Sequence, residues 1–445
     1  MDSRVRCKVD HAKEVIVTNF RKRRWVIVDD DDDTWHFYWG TGSAARNTFN
    51  PEIGFRLADN QFINHFPNHF ELTKKDLMVK NIKRYRKELA KEGRMAEYEA
   101  SDFLPTTYTL PADYHLFIEE YKRRPATSWI VKPAGGSLGS GIFIMKKLSQ
   151  LRKWKAQKQA AGSSVKWVVS QYIDNPLLIG GRKFDLRIYF LVLSYRPLRV
   201  YMHSMGFARF CTAKYDTEVL DPEDLMQHLT NVAIQKHGDE YNSAHGGKFS
   251  LQNLRLFVEG THGRAAARKL FADIKAIAFH AFSAVKNVIN SDRHCFECYG
   301  YDVLVDDTLK PWLVEVNASP SMSATTQTDR TVKHTVINDV INMVLPAGFP
   351  DLAACKLGVG SNLDAPMGGF ELVVDELKDA ARPGSASPRP PPSSAAASTR
   401  VRRARARSRT RGSTAGRPSS AAGTRTPRSR PASRTSSSRP ASRRR

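Results

Sequence analysis

The sequence predicts a mixed α/β protein that carries a disordered basic tail. Three observations lead to this prediction: short apolar runs typical of strands, two longer segments with helical periodicity, and a C-terminal segment with almost nothing to bury. Hydrophobic residues occupy 41% of the 445 positions, which is enough for a sizeable core. A chain of this length fits two or three domains.

The first helical segment is expected to run from Thr73 to about Leu89. Thr73 and Asp76 have the spacing of a capping box, and apolar residues then recur at helical intervals as far as Leu89. The opposite face is basic, which is typical of a solvated helix, although a docking surface for an acidic protein is an alternative. The residues of this basic face are Lys80, Lys83, Arg84, Arg86 and Lys87.

A second helix, about 265 to 289, and six apolar runs complete the predicted elements. The segment Tyr195-Arg196-Pro197 has the composition of a turn and predicts a hairpin between the runs on either side of it. The six predicted strands are Trp129–Val131, Val165–Ile173, Asp185–Leu193, Leu198–Met202, Tyr301–Val305 and Trp312–Val316.

The positive charge of the chain is concentrated in the tail. The whole sequence has 69 basic and 45 acidic residues and a net charge of +24, but residues 381–445 contain 18 Arg, no Lys and no acid. The rest of the chain is therefore only mildly basic. A tail of this composition is expected to be disordered and to attract nucleic acid only non-specifically.

Cysteine content and apolar run length predict the compartment. Five cysteines, an odd and small number, argue against a disulfide framework and favour a reducing compartment. The N-terminal residues lack the pattern of a signal peptide, and the sequence has no run of roughly 18 apolar residues. We therefore expect a cytoplasmic protein without a membrane partner.

Asp302, Glu315 and Asn317 predict a metal site. Glu315 and Asn317 alternate along one strand, so their side chains share a face, and apolar residues surround all three positions. Burying an unpaired carboxylate is costly, and an all-oxygen ligand set suits Mg²⁺. The alternative is that these side chains lie at a frayed strand end in water.

A second group of charges, Lys183, Asp185 and Arg187, shares one face of a strand that continues into an apolar interior. A cation, an anion and a guanidinium in this position can bind the polar groups and phosphate oxygens of a nucleotide. A structural ladder of ion pairs is the alternative.

A glycine-rich loop follows the strand that ends near Lys132. Residues 134–142 include four glycines, whose backbone N–H groups can approach a phosphate. The loop matches neither the Walker pattern nor the dinucleotide fingerprint, so nucleotide binding requires another fold. An ordinary flexible connection is the alternative.

Taken in this order along the chain, the motifs resemble the tubulin-tyrosine-ligase-like family of ATP-grasp ligases. The resemblance covers about residues 15 to 350, and three segments are most similar to the glutamylating branch of the family, in particular to the catalytic subunit of a polyglutamylase complex. The motifs specific to the family are Lys183–Arg187, His228–Asn231, Phe296–Asp302 and Trp312–Ser319. The segments of the glutamylating branch are Asn68–Asn81, Asn175–Arg182 and Val232–His237.

The resemblance implies an ATP-grasp fold in which the nucleotide lies between two sheets. It implies an N-terminal domain over 1–110 and the ATP-grasp central and C-terminal lobes over 111–350. A poorly defined connector over 351–380 and the basic tail over 381–445, which composition alone indicates, are expected to follow. The implied activity is the addition of free L-glutamate to glutamate side chains of acidic tubulin tails through an acyl-phosphate, with ATP and Mg²⁺ as cofactors.

The resemblance also implies partners and a location. The partners would be tubulin or microtubules and the non-catalytic subunits of a complex, and the location would be the cytoskeleton, in the axoneme or basal body of a cilium. Two alternatives remain open. One is a ligase of the same fold that adds glycine or tyrosine, and the other is a non-enzymatic protein that binds microtubules or polyanions through its tail.

The resemblance finally implies a role for individual residues. Those that would contact the nucleotide are Lys132, Leu138 and Gly139 at its phosphates, Ser170, Gln171, Tyr172 and Ile173 at adenine, and Lys183, Phe184, Asp185, Thr230 and Asn231 around the rest. Those that would act on the other reactants are Arg187 at the acyl-phosphate or the acceptor, Arg209 and Lys248 at the incoming glutamate, and Asp302, Glu315 and Asn317 at Mg²⁺.

Overall fold

The structure is a computed structural model that describes residues 4–136, 139–160, 165–216, 224–236, 246–362 and 364–380. The predicted tail and the loop residue Leu138 lie outside the described residues. Within them the prediction of a mixed α/β fold is confirmed, because helices surround three β-sheets. None of the described helices has the length and apolar content needed to cross a bilayer.

The first sheet, the N-terminal sheet, consists of short parallel strands in the order β2-β1-β3-β4. Its strands are β1 (Arg6–Val9), β2 (Val26–Ile27), β3 (Phe37–Trp39) and β4 (Phe62–Ile63). The helices of this region are α1 (Glu14–Lys22), α2 (Gly42–Thr48) and α3 (Phe70–Thr73), and a 3₁₀ turn covers Pro51–Ile53.

The second sheet, the small sheet, is antiparallel and has the order β5-β8-β6-β7. Its strands are β5 (Thr107–Leu110), β6 (Trp129–Pro133), β7 (Phe143–Met145) and β8 (Trp167–Gln171). The helices that precede or interrupt it are α4 (Lys75–Lys91), α5 (Met95–Ala100), α6 (Tyr114–Arg123) and α7 (Leu148–Ala160).

The third sheet, the large sheet, is antiparallel and has the order β12-β11-β10-β13-β14, with β9 paired to β10 and β15 paired to β11. Its strands are β9 (Leu178–Ile179), β10 (Arg182–Tyr195), β11 (Leu198–Phe210), β12 (Lys248–Ser250), β13 (Glu297–Val305), β14 (Pro311–Asn317) and β15 (Phe370–Asp375). The remaining helices are α8 (Leu225–His228), α9 (Val232–Gln235), α10 (Leu251–His262), α11 (Arg264–Val285), α12 (Gln327–Val344), α13 (Leu352–Cys355) and α14 (Glu376–Ala380).

Strand β10 shows how the core positions the site. Its even-numbered side chains, Phe184 to Val192, are all apolar and pack in one core with helices α4 and α11. Its odd-numbered face is charged at Lys183, Asp185 and Arg187, and only from Tyr189 onward does it become apolar and pack with α1 and α12. The charged half of the odd-numbered face is therefore left to form a site. The even-numbered face and the apolar half of the odd-numbered face pack in the core and fix the strand.

The predicted hairpin is confirmed, because β10 and β11 pair in antiparallel register on either side of Arg196-Pro197. The predicted capping box is wrong. Helix α4 begins at Lys75, the side chain of the N-cap residue Lys74 makes no cap hydrogen bond, and the Thr73 hydroxyl instead donates to the carbonyl oxygen of His69. Thr73 is used to close the short helix α3, so it is not available to cap α4. The domain boundaries at 110 and 350 stay a prediction.

Candidate functional site

A cleft lies between the small sheet and the charged half of the large sheet. Strands β6 and β8 line one side, β10, β11, β13 and β14 line the other, and α4 closes one end. The structure thus brings together, in one cleft, residues predicted from distant parts of the sequence. Those that line it are Lys132, Gly139, Ser170, Gln171, Tyr172, Ile173, Lys183, Asp185, Arg209, Thr230, Asn231, Asp302 and Glu315.

The two sheets supply opposing apolar side chains to the cleft. Ile130 and Val168 belong to the small sheet, and Leu304 and Leu313 belong to the large sheet. Apolar walls with a few convergent polar groups are typical of small-molecule sites. This half of the cleft can therefore hold a flat aromatic base, while the charged half lies beside it.

A row of charges crosses the large sheet. Asp185 of β10 lies opposite Arg209 of β11, and Arg187 lies opposite Asp302 of β13, so all four side chains share a face. The Arg209 Nε donates to Asp185 at 2.8 Å, and its Nη2 donates to Asp302 at 2.8 Å. Arg187 donates to both oxygens of Asp302, at 2.6 and 3.1 Å. Two guanidinium groups therefore hold one buried carboxylate between them.

This arrangement keeps Asp302 ionised. Burial alone would raise the pKa of Asp302, but the guanidinium groups of Arg187 and Arg209 outweigh burial and hold that pKa well below its usual value. In turn, Asp185 and Asp302 raise the pKa of Arg209 even though burial opposes its charge. Asp302, Arg187 and Arg209 are thus all charged at neutral pH.

The three predicted metal ligands are neighbours in the structure. Glu315 lies opposite Asp302 in the pairing of β13 with β14, and the Asn317 amide donates to Glu315 Oε1 at 3.3 Å. Lys75 of α4 donates to the other oxygen, Glu315 Oε2, at 2.8 Å. The set contains oxygen donors only and adjoins a cleft that carries lysines, which is the chemistry that Mg²⁺ shares with phosphates. The residues present therefore fit this ion, and their role as its ligands stays a prediction.

Two lysines face the cleft with weakened basicity. Burial lowers the pKa of Lys132 to about 8, with Glu315 acting in the opposite direction. Burial also lowers the pKa of Lys183 to about 8. The Lys183 Nζ donates to the Tyr172 hydroxyl at 2.7 Å, and that hydroxyl lies 2.8 Å from His228 Nδ1. A phosphate that entered the cleft would meet two poorly hydrated cations.

Of the predicted residues that the structure describes, four do not line the cleft: Phe184, Arg187, Lys248 and Asn317. Phe184 faces the opposite side of β10, where its ring packs against Phe210 with a centroid distance of 5.2 Å. A contact of Phe184 with a nucleotide can therefore involve only its backbone. Arg187 and Lys248 pair across the sheet with the lining residues Asp302 and Arg209, and the Asn317 amide donates to the lining residue Glu315.

Lys75 and the side chain of Tyr172 are cleft residues that the sequence did not single out for this role. A signal for Lys75 exists: it lies three, four and seven positions before the buried residues Met78, Val79 and Ile82, on the apolar stripe of α4. A charge on a buried stripe needs a partner, which here is Glu315. Tyr172 has no comparable signal, because its partners Lys183 and His228 lie 11 and 56 residues away, on other elements.

Comparison with known proteins gives a family match. Residues 55–351 match the model of the tubulin-tyrosine ligase family. This range contains the cleft and every predicted site residue.

Individual relatives are also similar over most of the chain. A protein of Tetrahymena thermophila named "probable alpha-tubulin polyglutamylase Ttll1" is 47% identical over 84% of this chain and 94% of its own length. A Caenorhabditis elegans protein named "probable tubulin polyglutamylase ttll-9" is 38% identical over 84% of this chain and 85% of its own length. The human tubulin polyglutamylase TTLL5 is 34% identical over 70% of this chain but only 23% of its own length.

Proposed function

We propose that this chain, which belongs to the tubulin-tyrosine ligase family, is an ATP-dependent ligase that joins glutamate to glutamate side chains in the C-terminal tails of tubulin. The relatives named as tubulin polyglutamylases, up to 47% identical over most of both chains, support the substrate. The structural observation that supports the chemistry most strongly is the cleft, where lysines and apolar walls adjoin a row of paired guanidinium and carboxylate groups.

The nucleotide would occupy the cleft between the two sheets, as in an ATP-grasp fold. The apolar side chains of both sheets would hold adenine, and Ser170 to Ile173 would offer backbone groups at its edge. Lys132 and Lys183 would bind phosphate oxygens, and Thr230 and Asn231 would lie near the ribose. Because burial weakens the hydration of both lysines, their attraction for phosphate is stronger than that of exposed lysines.

Asp302, Glu315 and Asn317 would hold Mg²⁺, which supplies charge neutralisation for the phosphoryl group in transfer. The chain prepares these side chains before any ion binds. Arg187 and Arg209 orient Asp302, and Lys75 and Asn317 orient Glu315. These bonds hold both carboxylates in position, and the two arginines keep Asp302 ionised.

The reaction has two steps, and the row of charges serves both. In the first, the γ-carboxylate of the acceptor attacks the terminal phosphorus, ADP leaves, and an acyl-phosphate forms. In the second, the amino group of free glutamate attacks the acyl carbon, inorganic phosphate leaves, and the nitrogen loses a proton. Arg187 would stabilise the negative charge that develops on the acyl-phosphate. Arg209 and Lys248 would hold the carboxylate end of the donor and so orient its amino group.

The basic face of α4 would recruit the acidic tail of tubulin, but it is smaller than the sequence predicts. Lys83 donates to the carbonyl oxygen of Thr107, Arg84 donates to that of Ala284, and Arg86 pairs with Asp102 at 3.0 Å. Lys83 and Arg84 are exposed but already bonded, whereas Lys80 and Lys87 are exposed and form no hydrogen bond or ion pair with the described residues. Electrostatic steering of an acidic peptide would therefore rest mainly on these two lysines. The subunits of a polyglutamylase complex and a position on ciliary microtubules belong to the same proposal.

Mass spectrometry of tubulin tails tests the proposal. Purified chain is incubated with tubulin, ATP, Mg²⁺ and either glutamate, glycine or tyrosine, with and without candidate partner subunits. We expect tail masses that increase by whole glutamyl residues, and only when ATP is present. Masses that correspond to glycyl or tyrosyl additions instead would assign the chain to the alternative ligase activity.

Two variants separate ligation from simple binding by the tail. Glu315→Gln should abolish ATP-dependent addition because one predicted Mg²⁺ ligand loses its charge, while co-sedimentation with microtubules persists. Deletion of residues 381–445 should weaken co-sedimentation but leave ligation in place. The opposite pair of results would show that the chain acts as a polyanion-binding protein.

A further inference from the structure

A second buried group of charges lies beyond the cleft, where α12 packs on β10 and β11 and pairs with Lys248 of β12. Lys248 of β12 donates to both oxygens of Asp329, at 2.8 and 2.7 Å. Lys333 lies on α12 one helical turn after Asp329 and is only 7% exposed. Its Nζ donates to the carbonyl oxygen of Ser323 at 2.5 Å. Among the described residues, Lys333 forms no ion pair.

We call the group formed by Lys248, Asp329 and Lys333 the α12 niche. It continues the row of charges in the cleft. Lys248 lies opposite Arg209 in the pairing of β11 with β12, so the two side chains share a face of the sheet. Burial lowers the pKa of Lys333 to about 8; Asp329 opposes this effect, and Lys248, Arg187 and Arg209 add to it. Lys333 follows Asp329 by four residues on the same side of α12, and Asp329 accepts from Lys248, so Lys333 lies next to the ion pair that adjoins the row.

The charges of the row and the niche do not balance. The cations are Lys248, Lys333, Arg187 and Arg209, and the anions opposite them are Asp185, Asp302 and Asp329. Each aspartate already has a cationic partner, so the remaining positive charge belongs to Lys333. A buried charge without a counter-charge is costly, and a carboxylate that entered the niche would remove that cost.

Tyr189 is a second, independent sign of a ligand. It follows Arg187 on the same face of β10, is completely buried, and its hydroxyl has no hydrogen-bond partner among the described residues. Burial raises the pKa of this hydroxyl, while Arg187 and Arg209 oppose the effect and Asp329 adds to it. A buried hydroxyl is normally hydrogen-bonded, so this one indicates a missing partner among the same charges.

We propose that Lys333 binds a carboxylate of the incoming amino acid and so selects a donor that has two of them. The inference rests on the proposed function, because it concerns the donor of that same reaction. Glutamate reacts through its amino group and keeps both carboxylates, one for Arg209 and Lys248 and one for Lys333. Its net charge of one negative unit matches the unbalanced positive charge of the niche. Glycine and tyrosine have a single carboxylate and would leave Lys333 unpaired.

Kinetics of two variants test this role. Lys333→Gln removes the charge but keeps an N–H donor for the Ser323 carbonyl, and Lys333→Arg keeps the charge. We expect Lys333→Gln to raise the KM for glutamate about 10- to 100-fold, the range for loss of a hydrogen bond between charged groups. The KM for ATP should stay within about twofold, and Lys333→Arg should recover a large part of the loss. Arg330→Gln is the matched control, since Arg330 lies on the same helix, is exposed and pairs with Glu14.

Glutarate provides a readout that does not depend on turnover. It has both carboxylates and no amino group, so it should bind the wild-type chain in the presence of ADP, as measured by calorimetry, and bind Lys333→Gln at least tenfold more weakly. Equal glutarate binding and an unchanged KM for glutamate would overturn the inference while wild-type ligation continued. A similar rise in the KM values for glutamate and ATP, without recovery by Lys333→Arg, would mean that Lys333 has only a structural role. It would then hold residues 318–326, the connection between β14 and α12, through its bond to Ser323. Absence of glutamate addition by the wild-type chain would instead refute the proposed function itself.

Discussion

Replacement of Arg209 by methionine is expected to destabilise the fold, because it leaves buried carboxylates without a partner. The Arg209 guanidinium bonds both Asp185 and Asp302, and its side chain is 10% exposed. Removing one partner of a buried ion pair costs about 3–5 kcal/mol, since the other charge stays buried. We expect Arg209→Met to lower the free energy of unfolding by about that amount at pH 7, because Asp302 keeps Arg187 but Asp185 loses its partner.

This loss should become smaller as the pH falls. In the wild-type chain Arg187 and Arg209 outweigh burial and hold the pKa of Asp302 below its usual value. Asp302 therefore stabilises the fold above its unfolded pKa of about 3.9, and that contribution disappears only as the pH falls through the lower folded pKa. Without Arg209 only Arg187 opposes the effect of burial on Asp302, so the folded pKa of Asp302 rises and protonation relieves its buried charge at a higher pH. The difference between variant and wild type should therefore be smaller at pH 5 than at pH 7.

Urea unfolding of the full chain without nucleotide, followed by tryptophan fluorescence at both pH values, measures these effects. The double variant Asp185→Asn/Arg209→Met should be more stable than Arg209→Met alone, because it removes both members of one pair. Arg330→Met is the control: it breaks an exposed pair with Glu14, and such pairs contribute about 0–1 kcal/mol. The buried row of charges does not stabilise the fold if Arg209→Met has the same free energy of unfolding as Arg330→Met, or if the double variant is no more stable than Arg209→Met.

Three further predictions follow from the same geometry. Phe184→Leu should lower the urea midpoint but leave the KM for ATP within about twofold of wild type, because the ring lies in the core; a large change in that KM would place the ring at the nucleotide. The affinity for ATP should be constant below the pKa of about 8 of Lys132 and Lys183 and should fall above it, as both lysines lose their protons; titration calorimetry from pH 6.5 to 9.5 measures this, and a flat profile would contradict it. Removal of Mg²⁺ by EDTA should stop ATP-dependent glutamate addition but shift the melting temperature by less than about 2 °C, since Asp302 and Glu315 already have cationic partners; cooperative unfolding on chelation would show that the ion is structural.

Local patterns in the sequence were sufficient for the strands that build the site. The apolar runs near Trp129, Asp185 and Trp312 each coincide with an observed strand, because residues that alternate or remain apolar in a strand do so for reasons confined to a few neighbours. The hairpin at Arg196-Pro197 was predictable on the same basis. The end of β11 was not: it continues to Phe210, through the exposed Ser204 and Met205, because its partner strands β10 and β12 extend that far.

The pairing of Asp185 with Arg209 illustrates what local patterns miss. Counted outward from the Tyr195–Leu198 pair, Arg209 would lie opposite Phe184 and on the other face of the sheet. Two irregularities between β10 and β11 shift the register by one residue and bring Arg209 opposite Asp185 instead. A shift of one residue exchanges the two faces of a strand, so the central ion pair of the site depends on irregularities that no short motif announces.

The sequence by itself determined which residue types are present and which share a face within one strand: Lys183 with Asp185 and Arg187, and Glu315 with Asn317. The reason is that side-chain direction within a strand follows from the backbone of that strand alone. Tertiary structure decided which of these faces meet. The approach of Lys75 to Glu315, of Tyr172 to His228 and of Lys248 to Asp329 depends on how sheets and helices pack, and those contacts join residues far apart in the chain.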